Sequence, residues 1–365
     1  MNEFVYAQPV KIWFGEGKFE ALGAVLDELG LQRCVIACGR HFAPAARALM
    51  ETEPRLAAVY GEVEQNPQLS GAIETAKLAR AFDADAVIGV GGGSSLDTAK
   101  FAAAIARGDG DPLAYYRGEL PLPSDPLAVI AVPTTAGTGS EVTQVAVISH
   151  GDEKRSINQP AFMPKAAIVD PLLMLSVPPR TTMNTGLDAM AHALEGYWNI
   201  NHQPICDIMA VEAVRLILGN LETAFRDGEN REARANMALA STIAGLAFSQ
   251  PRTAGCHAAS YPLSEHYHLP HGEACAFTLD HFVRLNADAR LEELCRRVGL
   301  SGTAELADRI AAYKQMAGLR TRLADLGDHV DIDVLARESA AHVLMSFNPV
   351  PMDAAAMRAF FEQLR

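Results

Sequence analysis

Several absences narrow the fold classes that this sequence allows. Its 365 residues include only six cysteines and no C-x-x-C pair, so packed, reduced thiols are expected in place of a disulfide framework. The first residues lack the charged and apolar regions of a signal peptide, and no apolar run is long enough to cross a bilayer. We therefore expect a cytoplasmic protein.

Positive charge is also scarce. A formal net charge of −13 at pH 7 argues against nucleic-acid binding, which needs a basic surface. Any anionic ligand must then be bound by local positive groups. The rest of the composition, 49% hydrophobic and 21% charged, is that of an ordinary globular protein, and the length favours two domains.

The N-terminal half alternates short apolar strands with alanine-rich helices, which indicates an α/β domain. Strands are predicted at 33–38, 57–60, 85–90, 127–132 and 166–170. We place this domain at residues 1–177, and the Pro178-Pro179 pair marks its end. The remainder, 178–365, shows helical periods without convincing strands, at about 183–198, 204–225, 231–249, 254–265, 272–286, 291–299, 302–314, 318–326, 332–345 and 353–364.

Two of the predicted strands run into loops that could bind phosphate. The strand at 85–90 leads into Gly91, Gly92, Gly93 and Ser94 at a helix start, where close backbone approach and free amides favour an anion. The strand at 127–132 leads into hydroxyls and glycines that suit phosphate or ribose. The first loop is neither a G-x-G-x-x-G fingerprint nor a Walker loop, and a tight glycine turn is the alternative interpretation.

One carboxylate and three imidazoles could form a metal site in the helical part. Asp188 and His192 are spaced so that both project from one face at the start of a predicted helix. His257 and His271 would complete a ligand set for a divalent metal. Taken singly, these residues are more typical of a surface contact or a core histidine than of a metal ligand. The combination with the glycine-rich loop is what favours a metal.

These motifs together resemble the iron-containing, group III alcohol dehydrogenases over nearly the whole chain. The resemblance implies a Rossmann-like N-terminal domain and an all-α metal-binding domain, the dehydroquinate synthase-like fold, with the metal in the cleft between them. The matching segments are Phe14-Gly-Glu-Gly17, Gly91-Gly-Gly-Ser94 with Asp97 and Lys100, Pro133-Thr-Thr-Ala-Gly-Thr-Gly-Ser-Glu141, Gly186 to Glu195, His257, Pro270-His271-Gly272 and Asn348-Pro349.

The resemblance also assigns roles to individual residues. Fe²⁺ or Zn²⁺ would be bound by Asp188, His192, His257 and His271. NADPH or NADH would be bound by Gly39, Gly91, Gly92, Gly93, Ser94, Asp97, Thr134, Thr135, Ser140 and Lys154. The family further implies a homodimer that acts on a small aldehyde or alcohol.

Two departures from the family pattern affect these assignments. Tyr261 stands where the family often has a histidine that takes part in proton relay or substrate contact. Gly39-Arg40 follows the first long strand, where members that prefer NAD tend to carry an aspartate. With no carboxylate to repel it and a guanidinium beside it, a 2′-phosphate should be tolerated, which favours NADPH.

The expected activity is hydride transfer between nicotinamide and a small aldehyde or primary alcohol. The segment from Gln250 to Leu263 resembles the branch that reduces phosphonoacetaldehyde, and Arg252 would bind the anion while Tyr261 takes part in catalysis. A cleft-edge salt bridge is the alternative for Arg252. Other candidate functions are a lactaldehyde- or propanediol-type oxidoreductase, a maleylacetate reductase, a dehydroquinate synthase-type enzyme and a non-catalytic nucleotide-binding scaffold.

Overall fold

The computed structural model describes residues 3–151 and 153–365, which form two compact units. An α/β unit contains residues 7–135 and 139–174. A helical unit contains residues 175–365 together with 3–6 and the short segment 136–138. The chain therefore leaves the α/β unit briefly at 136–138 and finally after Met174.

The α/β unit is built on a parallel sheet of six strands among the described residues. The sheet order is β1-β8-β5-β4-β2-β3, and a separate antiparallel hairpin joins β6 and β7. The strands are β1 (Lys11–Phe14), β2 (Cys34–Cys38), β3 (Leu56–Tyr60), β4 (Ala86–Gly91), β5 (Ala128–Pro133), β6 (Val145–His150), β7 (Glu153–Asn158) and β8 (Ala166–Val169).

The central strands are buried on both faces, which explains their continuous apolar sequences. All residues of β2 are buried, and β4 is buried up to Val90. The helices of this unit are α1 (Leu22–Leu29), α2 (Ala43–Thr52), α3 (Leu69–Ala81), α4 (Gly93–Ile105) and α5 (Pro112–Arg117). The sheet order places β4 between β2 and β5, so loops after these three strands share one edge.

The helical unit has no strand among its described residues, as the sequence predicted. Its helices are α6 (Pro179–Trp198), α7 (Pro204–Arg226), α8 (Arg231–Phe248), α9 (Gly255–Tyr267), α10 (His271–Leu285), α11 (Ala289–Arg297), α12 (Thr303–Met316), α13 (Ile332–Ala341) and α14 (Ala354–Glu362). Helix α6 packs against α7, α8 and α10 and is buried along most of its length.

Several predicted helices differ from the structure in their extent; the helix predicted at 332–345, for example, ends at Ala341 and is followed by the 3₁₀ turn Val343–Phe347. Helix α6 begins at Pro179, before the predicted start, because proline fits the first turn of a helix. The helix predicted at 318–326 is wrong: α12 has ended at Met316, Gly318 has a left-handed φ of 60°, and only a 3₁₀ turn forms at Leu323–Leu326.

The six cysteines are buried and unpaired, in agreement with the expected reduced thiols. Among the described helices, none combines the length and the apolar character that a membrane span requires.

Candidate functional site

Helix α6 carries a row of polar side chains on one buried face. Asp188, His192 and Glu195 follow one another at helical spacing, and Asn199 caps the end of the helix. All four are buried. Buried polar groups need partners, so each of them indicates a specific interaction.

His192 is held as a neutral imidazole with one specified tautomer. Its Nδ1 lies 3.2 Å from the carbonyl oxygen of Gly137, which accepts the Nδ1 proton and leaves a lone pair on Nε2. The ring stacks on Phe248 with centroids 4.3 Å apart. Burial lowers the pKa of His192 to about 4, against the opposing charge of Asp188. The ring can therefore donate Nε2 to a cation at neutral pH.

His257 is oriented by the carboxylate of Glu195. One oxygen of Glu195 accepts hydrogen bonds from the backbone N–H of Ala254 (3.0 Å), Cys256 (2.7 Å) and His257 (3.2 Å) at the start of α9. The other oxygen accepts the Nδ1 proton of His257. Burial alone would lower the pKa of His257, but the charges of Cys275 and Glu195 outweigh it and raise the pKa well above its ordinary value. A carboxylate behind an imidazole makes the opposite nitrogen a stronger metal ligand.

His271 opens helix α10 and approaches the same carboxylate from another side. Its Nε2 is 3.8 Å from Oδ1 of Asp188, the same distance as Nε2 of His257. Helix α10 comes this close because Gly272 has no side chain; a Cβ there would collide with the carbonyl of Asn184 on α6.

Cys275 joins this group from the next turn of α10. Its Sγ lies 3.9 Å from Nε2 of His271, and one ligand atom each from Asp188, His257, His271 and Cys275 lies within 4.8 Å of the others. The thiol was not among the residues predicted from sequence.

The arrangement of these atoms fits a bound divalent cation. Nε2 of His192 and Nε2 of His257 face each other at 3.0 Å, a separation that fits either a shared proton or a bound cation, and both nitrogens can act as metal ligands. The buried Oδ1 of Asp188 has no hydrogen-bond partner among the described residues. Two metal–ligand bonds of about 2.0–2.2 Å can bridge the 3.8 Å separations.

The predicted nucleotide loops meet at the carboxyl ends of β4 and β5. Gly91 has a φ of 148°, and a Cβ there would collide with the side chain of Ser95. Thr134 donates its backbone N–H to the carbonyl of Gly91 at 2.9 Å. A Cβ on Gly92 would lie 3.3 Å from Oγ1 of Thr135. The two loops are therefore close together, and α4 begins directly after Gly92.

Gly93 and Ser94 form the first turn of α4, as the sequence predicted. Both are partly exposed, whereas the helix is buried from Ser95 onward. Their amides lie at the positive end of the helix dipole, which suits a phosphate.

Asp97 and Ser140 lie inside the α/β unit in a network centred on Lys100. The Lys100 amine donates to Oγ of Ser140 (2.7 Å) and to the carbonyls of Thr143 (2.9 Å) and Val145 (2.8 Å). Ser140 in turn donates to Oδ1 of Asp97 at 2.7 Å. Burial lowers the pKa of Lys100 to about 8, and burial raises that of Asp97. The network fixes the loop after β5 against α4.

Gly39 and Lys154 lie elsewhere on the same unit. Gly39 follows β2 at the sheet edge that also ends β4, and a Cβ there would meet only the carbonyl of Val63, at 3.4 Å. The neighbouring Arg40 is paired with Glu62 at 2.5 Å. Lys154 lies on β7, with its amine 3.3 Å from Oδ1 of Asn66.

A second polar group in the helical unit lies next to His257. Tyr261 is one turn further along α9 and stacks on His342, with ring centroids 4.3 Å apart and planes at 21°. The guanidinium of Arg252 lies 5.7 Å from the ring centroid of Phe347. Arg252 has a left-handed φ of 75°, and Asn199 donates to its carbonyl at 3.1 Å.

Comparison with known proteins decides the family. The family model for iron-containing alcohol dehydrogenase matches residues 9–171, and the model for the C-terminal part of the Fe-containing alcohol dehydrogenase family matches residues 182–364. This chain belongs to the iron-containing alcohol dehydrogenase family. It is therefore an oxidoreductase acting on CH–OH groups.

Relatives within this family act on different alcohols and aldehydes. The crystal structure of sulfoacetaldehyde reductase from Bifidobacterium kashiwanohense in complex with NAD⁺ has a TM-score of 0.94 and 37% identity, covering 100% of this chain and 99% of that chain. Long-chain-alcohol dehydrogenase 1 of Geobacillus thermodenitrificans is 36% identical over 83% of this chain and 81% of that protein. The 1,3-propanediol dehydrogenase of Klebsiella pneumoniae is 36% identical over 74% of this chain and 70% of that protein.

Four residues of the site had no function predicted from the sequence: Glu195, Cys275, Asn199 and His342. The first two had a signal: Glu195 continues the spacing of Asp188 and His192 on α6, and Cys275 stands four residues after His271 on α10. His342 had none, because its stacking partner Tyr261 is distant in the sequence.

Proposed function

We propose that this iron-containing alcohol dehydrogenase reduces a small anionic aldehyde, of the phosphonoacetaldehyde type, to the primary alcohol with NADPH or NADH. The observation that supports an anionic substrate is the environment of Arg252. Its partly buried guanidinium forms no ion pair and no side-chain hydrogen bond with any residue in 3–151 or 153–365. Burial lowers its pKa, against the opposing effect of Tyr261.

Other partly or fully buried arginines of the helical unit are paired. Arg320 binds Glu273 at 2.8 Å, and Arg290 binds Asp207 at 3.2 Å. Arg234 donates to Thr182 and to two backbone carbonyls. A charge withdrawn from water without a partner is costly, so the state of Arg252 favours a ligand that supplies the anion. A guanidinium fork suits the oxygens of a phosphonate or sulfonate.

The metal site would consist of Asp188, His192, His257 and His271, with Cys275 beside them. The ring nitrogens that point away from the cluster are occupied by Gly137 and Glu195, so the Nε2 atoms of His192 and His257 remain available as ligands. A divalent metal bound there polarises the aldehyde oxygen and stabilises the negative charge that develops on it. Iron and zinc both accept this ligand set.

The nucleotide would bind at the edge formed by the loops after β2, β4 and β5. Gly91, Gly92, Gly93 and Ser94 would bind the pyrophosphate, with Thr134, Thr135 and Lys154 towards the ribose and nicotinamide. Asp97 and Ser140 would contribute indirectly, because their hydrogen-bond network holds the loop after β5 in position. Reduced nicotinamide supplies the hydride, and the chain aligns the reactants and excludes water.

We further propose that Gly39 admits NADPH as well as NADH. No carboxylate follows β2 to repel a 2′-phosphate, and Arg40 could approach it if its ion pair with Glu62 opens. The proton for the alcohol would come from Tyr261 or from a water relay. The active form would be a cytoplasmic homodimer.

A neutral substrate of the propanediol or lactaldehyde type is the alternative, and the similarity to 1,3-propanediol dehydrogenase favours it. The test is a steady-state comparison of phosphonoacetaldehyde, sulfoacetaldehyde, lactaldehyde and propionaldehyde, each with NADH and NADPH, on metal-analysed enzyme. The variant Arg252→Ala should lower kcat/KM for the anionic aldehydes, by an amount equivalent to roughly 2–4 kcal/mol of transition-state stabilisation. Its kcat/KM for propionaldehyde should be nearly unchanged.

Arg284→Ala is the matched control, because it removes an arginine that pairs with Asp308 on the surface. It should leave all four activities unchanged. Equal losses on anionic and neutral aldehydes in Arg252→Ala would make Arg252 a structural residue. A wild-type preference for lactaldehyde or propionaldehyde would select the neutral alternative.

A further inference from the structure

His342 is held in one tautomer by the backbone. It precedes the 3₁₀ turn Val343–Phe347, and its Nδ1 accepts a hydrogen bond from the backbone N–H of Leu344 at 3.2 Å. A neutral imidazole that accepts at Nδ1 carries its proton on Nε2. His342 therefore presents an N–H donor at Nε2.

The plane of this ring is fixed by Tyr261. The two rings stack with centroids 4.3 Å apart, and Tyr261 is buried on α9 one turn after His257. Stacking removes the rotational freedom that a partly exposed imidazole would otherwise have. The donor direction is thus set before any ligand arrives.

The surroundings keep His342 uncharged. Burial is the main cause that lowers the pKa of His342 to about 4, and the positive charge of Arg252 acts in the same direction. Its Nε2 has no hydrogen-bond partner among the residues that the structure describes, and the side chain is partly exposed. Arg252 lies 5.7 Å from the ring centroid of Phe347, which ends the 3₁₀ turn that His342 precedes. The neutral N–H donor and the guanidinium are therefore near each other, and neither has an acceptor among the described residues.

We propose that His342 is a substrate-binding residue whose Nε2–H donates to the sulfonate or phosphonate group that pairs with Arg252. This rests on the proposed function. A tetrahedral oxyanion has three oxygens; the guanidinium fork takes two, and the third needs a donor from another direction. A donor that adds no charge would recognise the shape of the anion, whereas Arg252 recognises its charge.

Two substitutions separate the nitrogens of His342. In His342→Asn the amide oxygen can still accept from Leu344, as Nδ1 does, but the Nε2 donor is lost. In His342→Gln the side-chain amide can reach the position of Nε2 and donate. Binding of the unreactive probes ethanesulfonate and ethylphosphonate to the metal-loaded protein is measured by calorimetry, and kcat and KM are measured for the matching aldehydes and for propionaldehyde.

We expect His342→Asn to weaken probe binding by about tenfold or more, the scale of a hydrogen bond to a charged group, and to raise KM for the anionic aldehyde more than it lowers kcat. His342→Gln should stay within about threefold of wild type. Propionaldehyde should respond to neither. Thermal unfolding establishes that both variants are folded.

If His342→Asn binds the probes as wild type does and His342→Gln loses binding, His342 only caps the 3₁₀ turn. That result would overturn the proposal. Unchanged probe binding in both variants, with binding abolished in Arg252→Ala, would overturn it while the proposed function stands. Wild-type protein that binds neither probe would overturn both. A His342-dependent affinity for one probe alone supports the proposal and identifies the anion as sulfonate or phosphonate.

Discussion

The buried carboxylate of Glu195 binds Nδ1 of His257 with one oxygen and three backbone N–H groups of α9 with the other. One side chain of α6 thereby both starts the next ligand-bearing helix and sets the tautomer of its imidazole. Loss of this carboxylate should therefore disturb both the start of α9 and the orientation of His257.

Glu195→Gln should weaken metal binding by about 10–100-fold. The amide can still accept from the backbone but offers N–H to Nδ1, which drives the proton of His257 to the nitrogen that should bind the metal. Metal affinity is measured by competition with a chromogenic chelator. Asp280→Asn is the control, since it breaks the buried Lys314–Asp280 pair of 2.5 Å without touching Glu195. If both variants lose metal equally, the effect is one of general stability.

His271→Ala should abolish bound metal and turnover together, because it removes one of two imidazoles that converge on Oδ1 of Asp188. The nucleotide should still bind through the α/β unit. His281→Ala is matched, since His281 lies on the same helix with the same side-chain exposure of 31%. Metal analysis and fluorescence titration with NADH give the result; full metal content in His271→Ala would remove that histidine from the site.

Gly39→Asp should weaken NADPH relative to NADH by on the order of 1–3 kcal/mol, the scale of a charge placed near a bound anion in a partly screened site. The side chain has room, because a Cβ meets only the carbonyl of Val63 at 3.4 Å. Gly219→Asp adds the same charge on α7, where nothing lies within 4 Å, and should change neither affinity. An unaltered preference in Gly39→Asp would place the adenosine ribose away from this loop.

Lys100→Met should lower the free energy of unfolding by roughly 3–5 kcal/mol, because it leaves Asp97 buried without its cation. Adding Asp97→Asn should recover part of the loss, which urea unfolding of the two single variants and the double variant measures. The double variant losing as much as the sum of both single variants would mean that the two charges are not coupled.

The same lysine predicts a pH dependence. Its pKa is about 8 in the folded protein against an ordinary 10.5, so between these values the unfolded chain binds more protons and folding becomes more favourable as pH rises. Raising pH from 7 to 9.5 should therefore widen the stability difference between wild type and Lys100→Met by about 2 kcal/mol. A constant difference would contradict the lowered pKa.

The sequence predicted those elements whose apolar residues are regular. Strand β2 and the helices α7 and α8 show such patterns and were located to within a few residues. Strand β1 and the β6–β7 hairpin were missed, since Lys11–Phe14 is short and Glu153–Asn158 is polar and only partly buried. The helix predicted at 318–326 failed because Gly318 has a left-handed φ and because the backbone N–H groups of 320–322 donate to the carboxylates of Glu273 and Asp325.

The candidate site was predictable where it depends on local spacing. Asp188 and His192 lie on one face of α6, and the glycines after β4 precede a helix, as the sequence indicated. Contacts between distant segments were not predictable: Gly137 orients His192 across 55 positions, and Glu195 binds His257 across 62. The orientation of a ligand depends on such pairs.

The row of polar side chains on α6 also fixes a distance within the helical unit. His192 would hold the reacting end of the substrate, whereas Asn199 fixes the backbone of Arg252, and both are attached to the same rigid helix. Seven helical steps separate them, about 10 Å along the axis at 1.5 Å per residue. Because α6 is buried along most of its length, this spacing does not adjust as a loop could. In the proposed function, α6 would therefore fix the position of the Arg252 backbone relative to the metal ligand His192, and the flexible arginine side chain would span the remaining distance to the substrate.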